Sequence, residues 1–274
     1  MSSRWYHQTK APNQIGFRIL HLSSYSHFDT IAPADLLQWA IQEFGDRLAI
    51  TTSFQSEGMV VVDMAARISS GIRVITLDTG RLPEETYAMI ETVRSHYGVK
   101  VETVSPASDE LEAMVTRLGP NLFYESVPYR SLCCHLRKVR PLERKLQEFR
   151  AWVVGLRRSQ SETRESLGKV DEVEGRVKLS PLADWSAEQV EEYIRANGVP
   201  RHPLYAKGYT SIGCGPCTRA TQPGEDERAG RWWWELDANK ECGIHFTPDG
   251  RAERTLDVLI RDVLNGTRTN IQNA

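Results

Sequence analysis

Five cysteines are the residues best suited to chemistry, and their spacing divides them into two groups. Cys133 and Cys134 are adjacent, Cys214 and Cys217 form a C-x-x-C pair, and Cys242 stands alone near the C-terminus. Four thiolates can hold either a structural Zn²⁺ ion or an iron–sulfur cluster. Adjacent ligands fit one zinc tetrahedron poorly, whereas in a cluster each can reach a different iron. The paired cysteines therefore favour a cluster, and zinc stays open as the alternative.

The fifth thiol, Cys242, lies in the sequence KECGIH, between charged residues and a glycine. A lone cysteine is commonly a small buried hydrophobe. These surroundings instead predict an exposed thiol whose pKa is lowered by nearby cations, and such a thiol is a good nucleophile. An odd cysteine count with two tight pairs also argues against a secreted disulfide framework and favours a reducing cytoplasm.

Strands and helices that alternate along the chain are expected to position these thiols. The predicted helices cover residues 33–44, 59–68, 83–97, 108–118, 132–149 with an interruption at Pro141, and a segment that follows the N-cap Ser186. The predicted strands cover residues 48–52, 72–77, 99–104 and 151–155, with a candidate fifth strand at 177–179. This alternation predicts an α/β fold in which a parallel, twisted sheet is covered by helices on both faces.

Three loops follow predicted strands, and ligands of such sheets bind beyond the carboxyl ends of the strands. The first loop precedes a helix N-terminus, which suits an anion, but it lacks the lysine of a Walker loop. The second could contact a ribose or base edge, and the third could contact phosphate or adenine. The alternatives are an empty strand–helix loop, an ordinary turn and a solvated charge run. The candidate residues are Ser53, Phe54, Gln55, Ser56 and Glu57; Leu77, Asp78, Thr79 and Gly80; and Gly155, Arg157, Arg158 and Arg164.

Composition excludes several classes of function. Lys and Arg total 34 and Asp and Glu total 36, so the net charge of −2 gives no general basic field for nucleic acid. No apolar run reaches the roughly 18 residues that a membrane span needs. Residues 1–28 contain no acidic residue, and we interpret them as an N-terminal tail, with an organellar transit peptide as the alternative.

Eight segments together resemble the assimilatory adenylyl-sulfate reductases, the iron–sulfur branch of the phosphoadenylyl-sulfate/adenylyl-sulfate reductase family. They are SFQSEG, LDTGRLPEETY, CCHLRKVRPL, VVGLRRSQSETR, SPLADWS, HPLYAKGYTSIGCGPCTR, GEDERAGRWWWE and KECGIH. The resemblance implies an adenine nucleotide α-hydrolase-like fold over residues 29–235 and a mobile C-terminal catalytic segment over residues 236–274. It also implies that the four paired cysteines hold a [4Fe–4S] cluster.

In the chemistry that the resemblance implies, Cys242 attacks the sulfur of adenosine 5′-phosphosulfate and expels AMP. Thioredoxin or a similar dithiol then releases sulfite from the S-sulfocysteine. Lys138 matches a lysine between cluster and substrate, and Arg228, Arg231 and His245 match residues that surround the phosphosulfate. The sequence shows no further C-x-x-C after His245, so an external reductant is expected.

One segment departs from the family pattern. Many relatives read roughly S-F-G-A-E-D at the phosphate loop, where this chain has SFQSEG. The departure leaves open which side chains of the loop touch the substrate.

Three other functions stay open at this point. The substrate could be 3′-phosphoadenosine 5′-phosphosulfate, which cluster-free relatives use. The chain could be a non-catalytic adenylate-binding protein with zinc or a cluster, which senses redox state through Cys242. A sulfate-activating or tRNA-thiolating relative would need ATP and another phosphate-loop pattern. The oligomeric state is also open, a homo-oligomer included.

Overall fold

A computed structural model describes residues 26–161, 164–235 and 250–265 of the chain. Two predicted functional residues, Cys242 and His245, lie outside the described residues. The helices are α1 Pro33–Phe44, α2 Ser56–Ile68, α3 Glu84–Tyr97, α4 Ser108–Leu118, α5 Val127–Cys134, α6 Arg140–Leu146, α7 Ala187–Asn197 and α8 Gly250–Asn265. The strands are β1 Leu48–Thr51, β2 Arg73–Leu77, β3 Lys100–Val104, β4 Ala151–Val154, β5 Val170–Val173 and β6 Arg176–Leu179.

The strands form one sheet in the order β3-β2-β1-β4-β6-β5. All neighbouring pairs are parallel except β5 and β6, which are antiparallel. The expected α/β fold is therefore confirmed, but the sheet is mixed at one edge. The antiparallel pair is a hairpin whose turn residues Glu174 and Gly175 have φ values of 52° and 73°, as two-residue hairpin turns with positive φ require.

Successive residues of the central strands point to opposite faces of the sheet, and both faces are apolar. On one face, Ile50, Val74 and Val153 join the core formed with α1, α2, α3 and α7. On the other, Ala49 and Trp152 pack with residues of α6. Burial on both faces explains why these strands read as short apolar runs and not as alternating patterns.

The ends of several helices follow from local sequence. Gly45 ends α1 with a φ of 49°, and Ser186 begins α7 in a capping box with Gln189. The helix predicted over 132–149 differs from the structure. A π-helical turn at His135–Val139 separates α5 from α6, and Pro141 lies in the first turn of α6. A proline is well tolerated at that position because its missing N–H needs no intrahelical partner.

The last described helix, α8, packs against α4 and α5. Its side chains Leu259 and Val263 are buried in the core that contains the four paired cysteines. The Arg117 guanidinium donates to the carbonyls of Asp262 and Val263, which are in the last turn of α8. Within the described ranges, no helix is both long and apolar enough to cross a lipid bilayer.

Candidate active site

A cleft of about 250 Å³ opens at the carboxyl ends of β1, β2 and β4. Strand β1 pairs with β2 on one side and β4 on the other, so the chain direction across the sheet reverses here. Ligands of open α/β sheets bind at such a switch point. The predicted residues that line the cleft are Ser53, Gln55, Glu57, Leu77, Thr79, Lys138, Gly155, Arg164, Arg228 and Arg231.

The predicted phosphate loop, residues 53–58, follows β1, includes the first turn of α2 and forms one wall of the cleft. Because the first N–H groups of a helix have no intrahelical acceptor, this end of α2 is suited to an anion. One of these groups, the N–H of Ser56, donates to the Tyr205 hydroxyl at 3.1 Å. Anion contacts from this loop would therefore come from its other N–H groups and from side-chain donors.

The backbone of the phosphate loop is held under strain. Phe54 has a φ of 59°, which is costly for a residue with a side chain, and its ring is fully buried. Its N–H donates to Thr52 Oγ1 at 2.9 Å. A Cβ atom added to Gly155 would lie 2.6 Å from the Gly58 nitrogen, so β4 and the loop approach backbone to backbone. The glycine at 155 is thus needed for the shape of the cleft.

The second predicted loop, residues 77–81, is held by hydrogen bonds within the loop and to neighbouring segments. Asp78 Oδ1 accepts from the Gly80 N–H at 2.8 Å and from the Tyr87 hydroxyl at 2.7 Å. Leu77 and Thr79 line the cleft, whereas Asp78 and Gly80 do not. Burial and Asp78 raise the pKa of Tyr87 to about 12, so its hydroxyl stays a donor to the carboxylate.

The three arginines of the third predicted loop, residues 155–164, lie in three different environments. Arg164 lines the cleft. Arg157 is buried behind the phosphate loop and donates to Glu57 Oε1 at 2.8 Å. Arg158 donates to the Leu167 carbonyl at 2.7 Å, away from the cleft. Arg157 therefore offsets the charge of Glu57 instead of facing the ligand.

The cleft is lined by four cationic side chains, Lys138, Arg164, Arg228 and Arg231, and by two carboxylates, Glu57 and Glu227. Arg157 offsets the negative charge of Glu57, and Glu57 Oε1 also accepts a hydrogen bond from Gln160 Nε2 at 2.9 Å. Burial and the neighbouring Glu57 raise the pKa of Glu227 above its ordinary value. The balance of charge in the cleft favours an anionic ligand.

The four paired cysteines line a second, more enclosed cavity beside the cleft. Cys133 and Cys134 end α5, whereas Cys214 precedes a 3₁₀ turn and Cys217 ends it. All four side chains are buried. Thr79 Oγ1 lies 3.2 Å from Cys214 Sγ. Burial raises the pKa of Cys217 to about 12, and it also raises the pKa of Cys133 although Arg137 opposes the effect.

Three side chains around this second cavity carry buried polar atoms without acceptors. Arg137 Nε and Trp232 Nε1, both from lining residues, have no hydrogen-bond partner among the described residues, and nor does Arg231 Nε. The Trp232 ring is fully buried, and the guanidinium groups of Arg130 and Arg231 lie 4.5 Å and 4.7 Å from its centre. Trp232 therefore anchors this region, and the nearby Trp234 ring packs against Phe123 and Tyr124. Unpaired buried donors suit a site that takes an acceptor of hydrogen bonds.

Lys138 and Cys214 line both the cleft and the cysteine cavity, so the two spaces share a wall. Lys138 belongs to the π-helical turn, a feature often found at functional sites. The structure thus brings together the predicted phosphate loop, the cationic residues and the four cysteines. The positions of Cys242 and His245 are not among those described.

Several cleft residues were not singled out from the sequence. Tyr205, Gln160, Glu227 and the segment 211–213 line the cleft. Tyr205 and the segment lie within HPLYAKGYTSIGCGPCTR, one of the matched segments, from which only the cysteines were assigned a role. Their contribution depends on contacts with loops about 150 residues earlier in the chain, and no local pattern encodes such contacts.

Comparison with known proteins gives a consistent result. A sequence profile of the phosphoadenosine phosphosulfate reductase domain matches residues 47–220. The adenosine 5′-phosphosulfate reductase of Allochromatium vinosum is 48% identical over 216 residues, covering 78% of this chain and 84% of that protein. The enzyme of the same name from Pseudomonas aeruginosa is 42% identical over 247 residues, covering 87% of this chain and 91% of that protein.

Solved structures agree with the fold. The crystal structure of the phosphoadenylyl-sulfate reductase from Candida auris, in a phosphate complex, superimposes with a TM-score of 0.62. It shares 27% sequence identity and covers 73% of this chain and 98% of that chain. A variant of the FMN adenylyltransferase from Candida glabrata, at 12% identity and a TM-score of 0.50, covers 86% of both chains and is similar in fold alone.

Proposed function

The chain belongs to the phosphoadenosine phosphosulfate reductase family, and we propose that it reduces adenosine 5′-phosphosulfate to sulfite and AMP in the assimilation of sulfate. Curated relatives at 42% and 48% identity bear the name adenosine 5′-phosphosulfate reductase. One observation carries the proposal. A cationic cleft at the switch point of the sheet shares Lys138 and Cys214 with a buried cavity of four thiols.

The cleft has the charge that the reaction needs. The phosphosulfate carries about two negative charges, and a thiolate that approaches it adds another, which is costly at short range in a partly dry site. Lys138, Arg164, Arg228 and Arg231 line the cleft and offset this repulsion. The same cations stabilise AMP as the leaving group, because its phosphate gains charge as the bond breaks.

We propose Cys242 as the nucleophile, with His245 near the phosphosulfate, on the strength of the KECGIH segment. A bond forms between the Cys242 sulfur and the sulfate sulfur, and the bond from that sulfur to the phosphate oxygen breaks. AMP leaves with the electron pair, and the enzyme holds an S-sulfocysteine. The paired cysteines are buried, so the nucleophile is sought outside them.

The second stage uses thioredoxin or a similar dithiol protein. One thiolate of the dithiol attacks the Cys242 sulfur, and sulfite leaves with the electron pair of the broken sulfur–sulfur bond. The second thiol then attacks the mixed disulfide, which restores the Cys242 thiolate and leaves the partner as a disulfide. The dithiol thus supplies the two electrons that convert the sulfate sulfur to sulfite.

We propose that Cys133, Cys134, Cys214 and Cys217 hold a [4Fe–4S] cluster. Four buried thiols line one cavity, and the Arg137 Nε–H and Trp232 Nε1–H groups on its lining lack acceptors, which fits a group rich in sulfur. The described residues contain no group of three His, Cys, Asp or Glu side chains that could hold a single metal ion. When bound, the cluster would supply a structural cross-link and buried charge near Lys138, not electrons for turnover.

The proposal is tested by supplying the iron-loaded protein with adenosine 5′-phosphosulfate and reduced thioredoxin. Sulfite and AMP should appear in equal amounts, and Cys242→Ser should abolish both while keeping the visible absorbance near 400 nm. A colourless protein with stoichiometric zinc, or undiminished sulfite release from Cys242→Ser, would contradict the proposal.

A parallel assay with 3′-phosphoadenosine 5′-phosphosulfate tests the substrate. We expect a strong preference for the nucleotide without the 3′-phosphate, because the curated relatives named above are reductases of that nucleotide. A higher kcat/KM with the 3′-phosphorylated form would replace the proposed substrate without changing the reaction type.

A further inference from the structure

Gln55 links the phosphate loop to the segment that leads into Cys214. Its Oε1 accepts from the Ile212 N–H at 2.7 Å, and its Nε2 donates to Ser53 Oγ at 2.9 Å. All three residues line the cleft. Gln55 is also the N-cap of α2, but its side chain makes no capping bond. Both ends of the side-chain amide are therefore occupied by bonds to the walls of the cleft.

The types of the groups involved decide which is the donor and which the acceptor in each of these two hydrogen bonds. The Ile212 N–H can only donate, so it requires the amide oxygen of Gln55. The amide nitrogen then faces Ser53, and Ser53 Oγ must accept. Because a hydroxyl has a single hydrogen, the Ser53 hydroxyl hydrogen is left to donate elsewhere. Ser53 lies at the end of β1 where the cleft begins, so an anion in the cleft can accept it.

We propose that Gln55 is a positioning residue that fixes the Ser53 hydroxyl as a donor to the anionic 5′ end of the bound nucleotide. The proposal rests on the function proposed above and deepens it. The Tyr205 hydroxyl already accepts a hydrogen bond from the Ser56 N–H. The loop therefore has one backbone donor fewer for an anion. The Ser53 hydroxyl makes up for that lost donor. A chain of aligned hydrogen bonds that ends on a charged acceptor is also stronger than its separate parts.

The test measures binding to the iron-loaded protein by calorimetry, with AMP and with adenosine as probes. Gln55→Met removes both bonds at similar side-chain length, and Ser53→Ala removes the hydroxyl. Each should weaken AMP binding by about tenfold or more, as expected for a lost hydrogen bond to a charged group. Each should leave adenosine binding within about twofold, since adenosine has no anionic end. Gln147→Met makes the same change on an exposed residue of α6's C-cap and should alter neither affinity.

The decisive comparison is the double variant. If Gln55 acts through Ser53, then Gln55→Met should cost no more than about twofold in AMP affinity when Ser53 is already alanine. An equal cost in both backgrounds would mean that Gln55 contacts the ligand itself, and would overturn the proposal. An equal loss of AMP and adenosine affinity would show a merely structural role, and would overturn it too.

Gln55→Glu gives an independent test if the methionine variant folds poorly. One carboxylate oxygen can still accept from Ile212, but the other would accept the Ser53 hydrogen and turn it away from the ligand. The added carboxylate also repels the phosphate, so the change is measured with Ser53 present and with Ser53→Ala. Gln55→Glu should cost about tenfold more in AMP affinity when Ser53 is present, while adenosine binding holds. Wild-type protein that fails to bind AMP would contradict the proposed function itself, whereas wild-type binding with unaffected variants would contradict only the role of Gln55.

Discussion

The cleft and the cysteine cavity share a wall but are built in different ways. The cleft lies where parallel strands end, and much of its surface comes from loops that directly follow β1, β2 and β4. The cysteine cavity is buried and is assembled from α5, the π-helical turn, the 214–217 turn and Trp232. The carboxyl ends of the parallel strands thus provide the loops of the cleft through topology. The thiol site, like the cleft residues Lys138, Arg228 and Arg231, depends on packing between distant segments.

This contrast predicts that the two sites can be damaged separately, and the largest effect should come from Cys217→Ser. Cys217 lines the cysteine cavity but not the cleft. We expect nearly all bound iron to be lost, because a cluster needs four thiolate ligands, while AMP affinity stays within about threefold. Iron analysis and calorimetry measure the two properties. Cys242→Ser is the control and should keep its iron; full iron content in Cys217→Ser would refute the ligand assignment.

The next effect concerns the ion pair at the edge of the cysteine cavity. Arg130 Nε lies 2.7 Å from Glu235 Oε1, and both side chains are buried. Arg130→Met should lower the free energy of unfolding by about 3–5 kcal/mol, because it leaves a buried carboxylate without its partner. The matched control is Lys207→Met, which breaks an exposed pair with Glu85 and should cost less than about 1 kcal/mol. Equal losses in urea denaturation would show that burial does not distinguish the two pairs.

Gly155→Ala should have a smaller effect, and it should damage the cleft while leaving the cysteine cavity intact. Gly155→Ala places a Cβ 2.6 Å from the Gly58 nitrogen, and backbone atoms cannot rotate out of the way. Displacing the phosphate loop should weaken AMP binding by about tenfold, in line with overpacking costs of about 1–3 kcal/mol, and leave iron content unchanged. Gly71→Ala, where the added Cβ meets its nearest neighbour at 3.6 Å, is the control. Unchanged AMP affinity in Gly155→Ala would contradict the proposed shape of the cleft.

The smallest effect is a dependence of stability on pH near the cleft. His202 is buried beside Thr86, and burial lowers its pKa below the ordinary value of 6.5. The unfolded chain therefore binds a proton at a higher pH than the folded one does. The contribution of neutral His202 to the free energy of unfolding is fully present above about pH 6.5. It declines below that pH by at most about 1.4 kcal/mol per pH unit.

Urea denaturation between pH 7.5 and pH 5 measures this decline. His202→Gln cannot titrate, so its stability should fall less steeply over the same range. Identical slopes for the wild type and the variant would show that His202 does not contribute.

Much of the fold could be predicted because the signals are local. The bounds of α1 match the prediction, since its apolar residues recur at helical spacing and Gly45 follows at once. The Ser186 capping box also begins α7 as expected. The β5 strand was missed, although the alternating sequence VDEVEGRVKL around Glu174 and Gly175 is typical of a hairpin.

The candidate site was predictable as a set of loops but not as a set of contacts. Strand ends identified the loops that line the cleft, and cysteine spacing identified the second cavity. The sequence could not show that Arg157 turns to Glu57, or that Gln55 reaches Ile212, because each contact joins residues 100 or more positions apart. Such pairings are decided by the packed fold and leave no periodic signal in the chain.

The central claim is that sulfur leaves the nucleotide on Cys242. Mass spectrometry of the iron-loaded protein, mixed with adenosine 5′-phosphosulfate in the absence of any reductant, tests it most directly. We predict that one SO₃ group is gained on the peptide that contains Cys242 and that AMP is released in equal amount. An unmodified Cys242 peptide after AMP release, or the group on another residue, would contradict the account.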